Sequence, residues 1–357
     1  MFSLFAFNIN FNFQPDLYVL KIALIPTIVL LFVFGSEKKA YVNDEKIKGV
    51  NLVSSKIKCQ LTGIDSIKGI NANWISLCPF AFLYNNSEKL EYNTPKNWWG
   101  DTKTGLIEGI KKARINKLKI LIKPHYWLMD KGWAGDFDLS GETKLKWETN
   151  YKNYILYLAK LCDSLNVEML AVGTELKTYS IKHPDFFIQL IKETRKVYKG
   201  KLIYAANWDE YENIKFWDKL DFIGVDAYFP LSDQKTPEIG LLEKNWKKES
   251  SSLKKTSQKY QKKIIFTEYG YKSIDFAAYK QWEFESTSKS ENVNLLAQVN
   301  AYAAFYNSVW NEDFLAGGFI WKWYNNNEGN SDKFNSDYTP QHKPASAIIK
   351  KWYALKQ

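Results

Sequence analysis

The stretch KKIIFTEYGYK, residues 262–272, sets the problem: a short apolar run able to form a buried strand ends on an acid, Glu268. A carboxylate at the mouth of a hydrophobic strand is costly unless something uses it. Runs of the same kind recur along the chain at 48–53 (KGVNLV), 73–79 (NWISLCP), 118–127 (LKILIKPHYW) and 168–175 (EMLAVGTE). Others stand at 201–208 (KLIYAANW), 221–228 (DFIGVDAY) and 317–324 (GGFIWKWY), which with 263–270 makes eight. Such near-continuous apolar runs fit parallel strands buried on both faces.

Helical patterns lie between most of these runs. Trp147, Tyr151, Tyr154, Leu158, Cys162 and Leu165 share one helix face, and Leu295, Val299, Tyr302, Tyr306 and Val309 share another. Eight strands alternating with helices define an α/β chain and the number that closes a (β/α)8 TIM barrel, with an open doubly wound sheet as the alternative. The catalytic barrel is expected over residues 46–354. Segments entering strands are short and plain, whereas those leaving them are long and aromatic, such as 79–101, 127–144 and 324–343. In a barrel all exit loops gather at one end, where active sites are built.

Composition narrows the function. With 357 residues, 45% hydrophobic and 25% charged, the chain is globular rather than disordered. The net charge of +10 is spread over helices and turns such as IKKARINKLK and NWKKESSSLKK, with no nucleic-acid signature beside it, so a solvated basic surface is expected and no nucleic acid. Cys59, Cys78 and Cys162 lack metal-ligand spacing, and the three histidines stand far apart, so neither disulfides, a metal nor another cofactor is expected. At the N-terminus, IALIPTIVLLFVF (22–34) followed by Gly35 and Ser36 reads as a secretory signal or membrane anchor over residues 1–36. A secreted or membrane-tethered monomer is the expectation.

The strand exits carry the chemistry. They present His125 and Trp127, then Glu175, Asn207 and Trp208, Asp226 and Tyr228, Glu268, and finally Trp321 and Trp323. Glutamates ending the fourth and seventh strands face each other across a barrel mouth, so a bond between them can be attacked from one side and protonated from the other. That is the demand of glycoside cleavage, and a close pair, about 5–5.5 Å apart, allows direct attack with retention.

The ordered motifs KPHYW, VGTEL, NWDE, DAYFPL and FTEYGY resemble Glycoside Hydrolase Family 113, within the retaining barrel glycosidases, over nearly all of residues 46–354. The resemblance implies an endo-β-1,4-mannanase acting on mannan-type polysaccharide by double displacement. It makes Glu268 the nucleophile, Glu175 the acid/base and Tyr228 the donor to Glu268. Thr174 stands where many members of the wider superfamily have Asn to hold the sugar 2-hydroxyl, which leaves that contact to Asn207 or His125. Alternatives are a retaining hydrolase or transglycosylase on another β-glycan, and a non-catalytic carbohydrate-binding barrel.

Both glutamates could also be rim ion-pair partners of Lys123 or Lys322, and Lys123, two residues before His125, reads as structural. Asp226 either binds sugar or orients its neighbours. Among the tryptophans, Trp127, Trp208, Trp321 and Trp323 are the expected sugar platforms, Trp321 flooring the cleavage subsite. Trp98, Trp99 and Trp133 are outer walls, and Trp147, Trp282, Trp310 and Trp352 are structural.

Overall fold

The computed structural model describes residues 45–84, 89–129, 132–283, 293–325 and 336–355. The expected leader, residues 1–36, lies outside them. Residues 44–357 form one compact unit.

Among the described residues ten strands run in chain order: β1 (Ile47–Leu52), β2 (Trp74–Leu77), β3 (Phe80–Leu83), β4 (Lys119–Ile122), β5 (His125–Leu128), β6 (Met169–Thr174), β7 (Lys201–Asn207), β8 (Ile223–Asp226), β9 (Ile264–Tyr269) and β10 (Leu315–Trp323). Eight of them close a parallel barrel in the order β1-β10-β9-β8-β7-β6-β4-β2, as the eight apolar runs imply. The helices are α1 (Thr62–Ile67), α2 (Lys103–Ile115), α3 (Gly141–Ser164), α4 (Lys177–Lys182), α5 (Pro184–Val197), α6 (Ile239–Tyr260), α7 (Leu295–Ser308) and α8 (Ala345–Tyr353). Among the described residues, no helix is long and apolar enough to cross a membrane.

One expected strand is two. The run 118–127 breaks between Ile122 and His125, where Pro124 has no N–H to give a ladder. Pro79 marks the same break after β2, and beyond the two breaks β3 and β5 pair in parallel, Phe80 opposite His125 and Phe82 opposite Trp127. This small second sheet raises His125 and Trp127 above the rim.

Side-chain alternation builds two cores. Ile47, Trp74, Leu121, Met169, Ala171, Ile203, Ile265 and Phe319 form one cluster from seven barrel strands and fill its interior. The Phe319 ring lies against Gly49 so closely that a Cβ there would overlap it. The other strand faces pack with the helices in a larger cluster. On α3 the expected face is buried through Trp147, Tyr151, Tyr154, Leu158 and Cys162, while Leu165 is half-buried. Each such large side chain contributes about 2–3 kcal/mol by leaving water. Of the face expected on α7, Tyr302, Tyr306 and Val309 are buried and Val299 is half-buried, while Leu295 is exposed; Ala297, Ala301 and Phe305 complete the buried stripe. Small alanines let that helix lie close to its neighbours, which moves the face away from Leu295. The lysines of α6, including Lys244, Lys247, Lys248, Lys254 and Lys255, are exposed.

Candidate active site

Three strands that deliver the acidic cluster lose their regular pairing just before the functional residue. The β6–β7 register shifts between Ala171 and Thr174, the β8–β9 register between Val225 and Asp226, and the β9–β10 register between Gly318 and Ile320. A bulge re-aims the side chains after it. Glu175 follows the first shift with φ 50°, a left-handed conformation that costs a non-glycine residue roughly 1 kcal/mol or more. Its N–H is held by the Ala205 carbonyl at 2.8 Å, and the next N–H by the Tyr204 hydroxyl at 2.9 Å. The surrounding structure therefore enforces the strained turn that presents the carboxyl.

Glu268 is buried at the exit of β9 and receives two donors. Lys123, fully enclosed, pairs with its Oε1, and the Tyr228 hydroxyl donates to Oε2 at 2.6 Å. Of the two lysines that could pair with the glutamates, Lys123 does so, with Glu268. Its signal in the sequence is a lysine inside an apolar strand, since such a charge is almost never buried unless paired. Burial alone would lower the Lys123 ammonium, but the Glu268 and Asp226 carboxyls outweigh it and raise it, so it stays charged. Lys322, the other rim cation considered, lies 3.4 Å from Asp337 instead.

Glu175 is treated differently. Among the described residues its Oε2 accepts the Trp133 indole N–H alone, at 3.3 Å. Burial, then Asp226 and Glu268, hold its proton well above the usual carboxyl range, against the opposing pull of Lys123. The Trp133 ring lies over Gly135, where a Cβ would overlap it, so that loop closes with glycine. Asp226 is fully buried, with Oδ1 accepting from the Thr267 hydroxyl at 2.6 Å and Oδ2 unpartnered. Burial and Glu268 push it toward the neutral form as well. It presents no surface to a ligand in this structure. With Lys123, Asp226 and Glu268 buried and Glu175 half-buried beside them, the cluster is best balanced with one ion pair and two protons retained.

The remaining expected residues divide. His125 lies between Phe80 and Trp321, with ring centroids 4.9 and 5.6 Å away, and its Nε2 is 3.6 Å from Glu268 Oε1 with no hydrogen-bond partner among the described residues. Burial and then Lys123 drive its proton affinity well below normal, so the ring is neutral and that nitrogen is available to a ligand hydroxyl. Lys123 Nζ also sits 5.2 Å from the Trp321 ring centroid. Trp127 is 55% exposed on β5. Asn207 accepts the Trp208 N–H through its side chain and gives its own N–H to buried Glu210, which is also held by Ser180 and Tyr204. Thr174 donates to the Pro124 carbonyl, a contact that ties the end of β6 to the β4–β5 break.

Trp323 is not with them. It is buried and donates to Ser66 on α1 at 2.9 Å, outside the barrel mouth. The β1–β10 register shifts between Val50 and Leu52 beside this stretch, so two-residue spacing does not carry Trp321 and Trp323 to the same face. Trp147 and Trp310 are wholly buried and Trp352 stacks on Tyr306, but Trp282, expected to be structural, is 44% exposed on the loop after β9. Tyr338 is a further neighbour, its ring 5.8 Å from Tyr228, supplied by a loop whose aromatics the sequence did not rank. Among the described residues no group of three or more His, Cys, Asp or Glu is placed to hold a metal ion.

Comparison with known proteins agrees with this geometry. Among curated protein sequences none matches the chain significantly. The β-mannanase AaManA of Alicyclobacillus acidocaldarius, a family 113 enzyme solved with ManMIm, superposes with a TM-score of 0.76 at 19% identity, over 87% of this chain and 98% of its own. A family 113 β-1,4-mannanase is similar at a TM-score of 0.74 and 25% identity, over 87% of this chain and 99% of its own. The β-D-glucuronidase of Dictyoglomus thermophilum shares the fold at 0.57 and 15% identity, over 87% of this chain and 51% of its own. The profile of Glycoside Hydrolase Family 113 matches residues 56–343. With that match spanning most of the barrel and both rim glutamates, the chain belongs to Glycoside Hydrolase Family 113 and is a glycoside hydrolase acting on carbohydrate.

Proposed function

We propose that the protein is a retaining endo-β-1,4-mannanase that hydrolyses mannan-type polysaccharide by double displacement. The observation that carries the reading is the asymmetry of the two carboxyls. Lys123 and Tyr228 supply Glu268 with charge-favouring donors, whereas Glu175 keeps its proton with one long indole contact. The mannan substrate is drawn from the family 113 mannanases that this chain resembles.

In the first step a Glu268 oxygen bonds the anomeric carbon, the glycosidic C–O bond breaks, and Glu175 gives its proton to the departing oxygen. Glu268 is then an ester without charge, and Lys123 is left with no anion. Glu175, whose proton Lys123 already works to release, becomes the cluster's carboxylate in its place. In the second step Glu175 takes a proton from water as the water oxygen bonds the anomeric carbon. The ester C–O bond breaks and Glu268 returns as a carboxylate. One negative charge passes between two residues under one fixed ammonium, so the dry site never holds a second uncompensated charge. The 1–36 segment supports a further proposal, that this enzyme works outside the cytoplasm, which fractionation of the producing cell tests.

The functional test is digestion of linear β-1,4-mannan and of an activated aryl β-mannoside by wild type, Glu175→Ala and Glu268→Ala, each with and without azide. Loss of either carboxyl is expected to cost about 10²–10⁴-fold on mannan. Azide is expected to restore Glu175→Ala on the aryl mannoside with a β-mannosyl azide as product. An α-azide from that variant, or a wild type inert on mannan and active on another β-glycan, contradicts the reading.

A further inference from the structure

All fourteen tryptophans lie among the described residues, and four of them are exposed: Trp98, Trp127, Trp133 and Trp282. All four stand on segments leaving barrel strands, at the catalytic end. Tryptophans that serve packing in this protein, such as Trp217 and Trp246, are essentially fully enclosed. An indole held open to water on a catalytic rim forgoes about 2–3 kcal/mol of burial, and apolar surface exposed in that way marks a binding site.

The two catalytic glutamates divide the rim into two arcs. From Glu268 on β9 through β10, β1 and β2 to β4, the arc carries Trp321, and His125 and Trp127 rise above its end. His125 Nε2 faces Glu268 Oε1, so the sugar that becomes bonded to Glu268 lies on this side. The shorter arc, through β8 and β7 to Glu175 on β6, is left for the part of the substrate that departs with the acid/base's proton. On this arc the Trp208 and Trp282 rings stand with centroids 6.1 Å apart and planes 34° from parallel, backed by Phe229 at 6.2 Å from Trp208.

Both indoles are fixed from below. Trp208 follows Asn207, whose N–H is tied to the buried Glu210 and whose side chain holds the Trp208 N–H. Trp282 follows Gln281, which is buried and clamps the turn to the catalytic strand: its Nε2 donates to the Gly270 carbonyl at 2.8 Å and its Oε1 accepts the Lys272 N–H at 2.5 Å. The same loop is stitched to the segment after β8 by Leu231 N–H to the Ala278 carbonyl. A rigid backbone that presents an exposed ring is the arrangement a stacking platform needs, because little freedom is lost when a ligand arrives.

We infer that Trp282 and Trp208 form a stacking platform for the leaving-group side of a β-linked pyranoside chain, with Trp282 as the specificity-determining residue. The inference rests on the functional reading above for its substrate class. Pyranose C–H faces pack on flat rings while the ring hydroxyls stay free for hydrogen bonds.

The test compares wild type, Trp282→Ala and Trp282→Tyr on two kinds of donor: β-1,4-linked hexasaccharides of mannose, glucose and xylose, and the matching β-disaccharyl fluorides, which carry no sugar on the leaving side. On the hexasaccharide that wild type cleaves best, Trp282→Ala is expected to lower kcat/KM about tenfold, with Trp282→Tyr between it and wild type. On the fluoride all three are expected to agree within about twofold. Equal losses on both donors would make the indole a structural support and overturn the platform, as would no loss on either. If wild type prefers a hexasaccharide other than that of mannose, the mannanase reading fails while the platform is judged on the preferred chain. A wild type inert on every donor overturns both.

Discussion

Lys123→Met separates the electrostatic role of the buried lysine from a merely structural one. The ammonium is fully enclosed and paired with Glu268, which is itself 5% exposed, and methionine keeps most of the volume without the charge. Removing one partner of a buried pair leaves the other uncompensated, at about 3–5 kcal/mol. Tyr228 remains as a donor and water can enter, so the lower bound is the better guide, and about 3 kcal/mol corresponds to roughly a hundredfold in rate. The assay is kcat/KM at neutral pH on an aryl β-mannoside with an activated leaving group, which does not need the Glu175 proton. The variant is expected to be about a hundredfold slower on it. Circular dichroism and thermal melting establish that the variant is folded. A folded Lys123→Met enzyme as fast as wild type on that substrate would refute the reasoning.

Trp133→Phe acts on the other carboxyl. The indole N–H favours the charged form of Glu175, so its loss is expected to move the basic limb of kcat/KM on mannan to higher pH; a downward shift contradicts the assignment. Asp101 offers a stability test away from the catalytic pair. Burial pushes its carboxyl from 3.8 up to about 6, while Oδ1 accepts from Ser54 and the Phe80 N–H and Oδ2 has no partner. A carboxyl raised on folding stabilises fully below its unfolded value and loses that contribution as pH rises through about 6. Asp101→Asn keeps the acceptor and removes the titration, so its stability is expected to match wild type near pH 3.5 and to exceed it above pH 7 by about 3 kcal/mol, read as a higher melting temperature. Equal melting temperatures at both ends would show that Asp101 is not the source of the dependence.

The barrel was legible because each strand is an apolar run too short for a helix and the exits carry the polar and aromatic residues. Parallel strands buried on both faces leave that trace wherever they occur. The acid pair was legible for the same reason: Glu175 and Glu268 each stand where an apolar run gives out at its exit. What the runs conceal is where alternation fails. Pro124 divides one run into β4 and β5, and register shifts beside Thr174, Asp226 and Trp321 re-aim side chains that strict two-residue spacing would misplace, so Trp323 packs on α1 rather than in the mouth. The sequence offers Lys123 and Lys322 alike as partners of the glutamates, and only closure of the cylinder, which brings together residues 145 apart, selects Lys123 for Glu268. Trp282 was assigned to packing because it sits near a helical pattern, yet the Gln281 clamp that holds it open is a contact to a backbone carbonyl eleven residues earlier.

The identity of the residue that becomes covalently linked to the sugar decides the account. Incubation with a 2-deoxy-2-fluoro-β-mannosyl fluoride, which slows both steps and lets the ester accumulate, followed by proteolysis and peptide mass mapping, reads it directly. The expected result is one fluoromannosyl group per chain, on Glu268 within the segment Ile264–Tyr269. A label on Glu175, or turnover of the fluoride with inverted product and no labelled peptide, contradicts the double displacement.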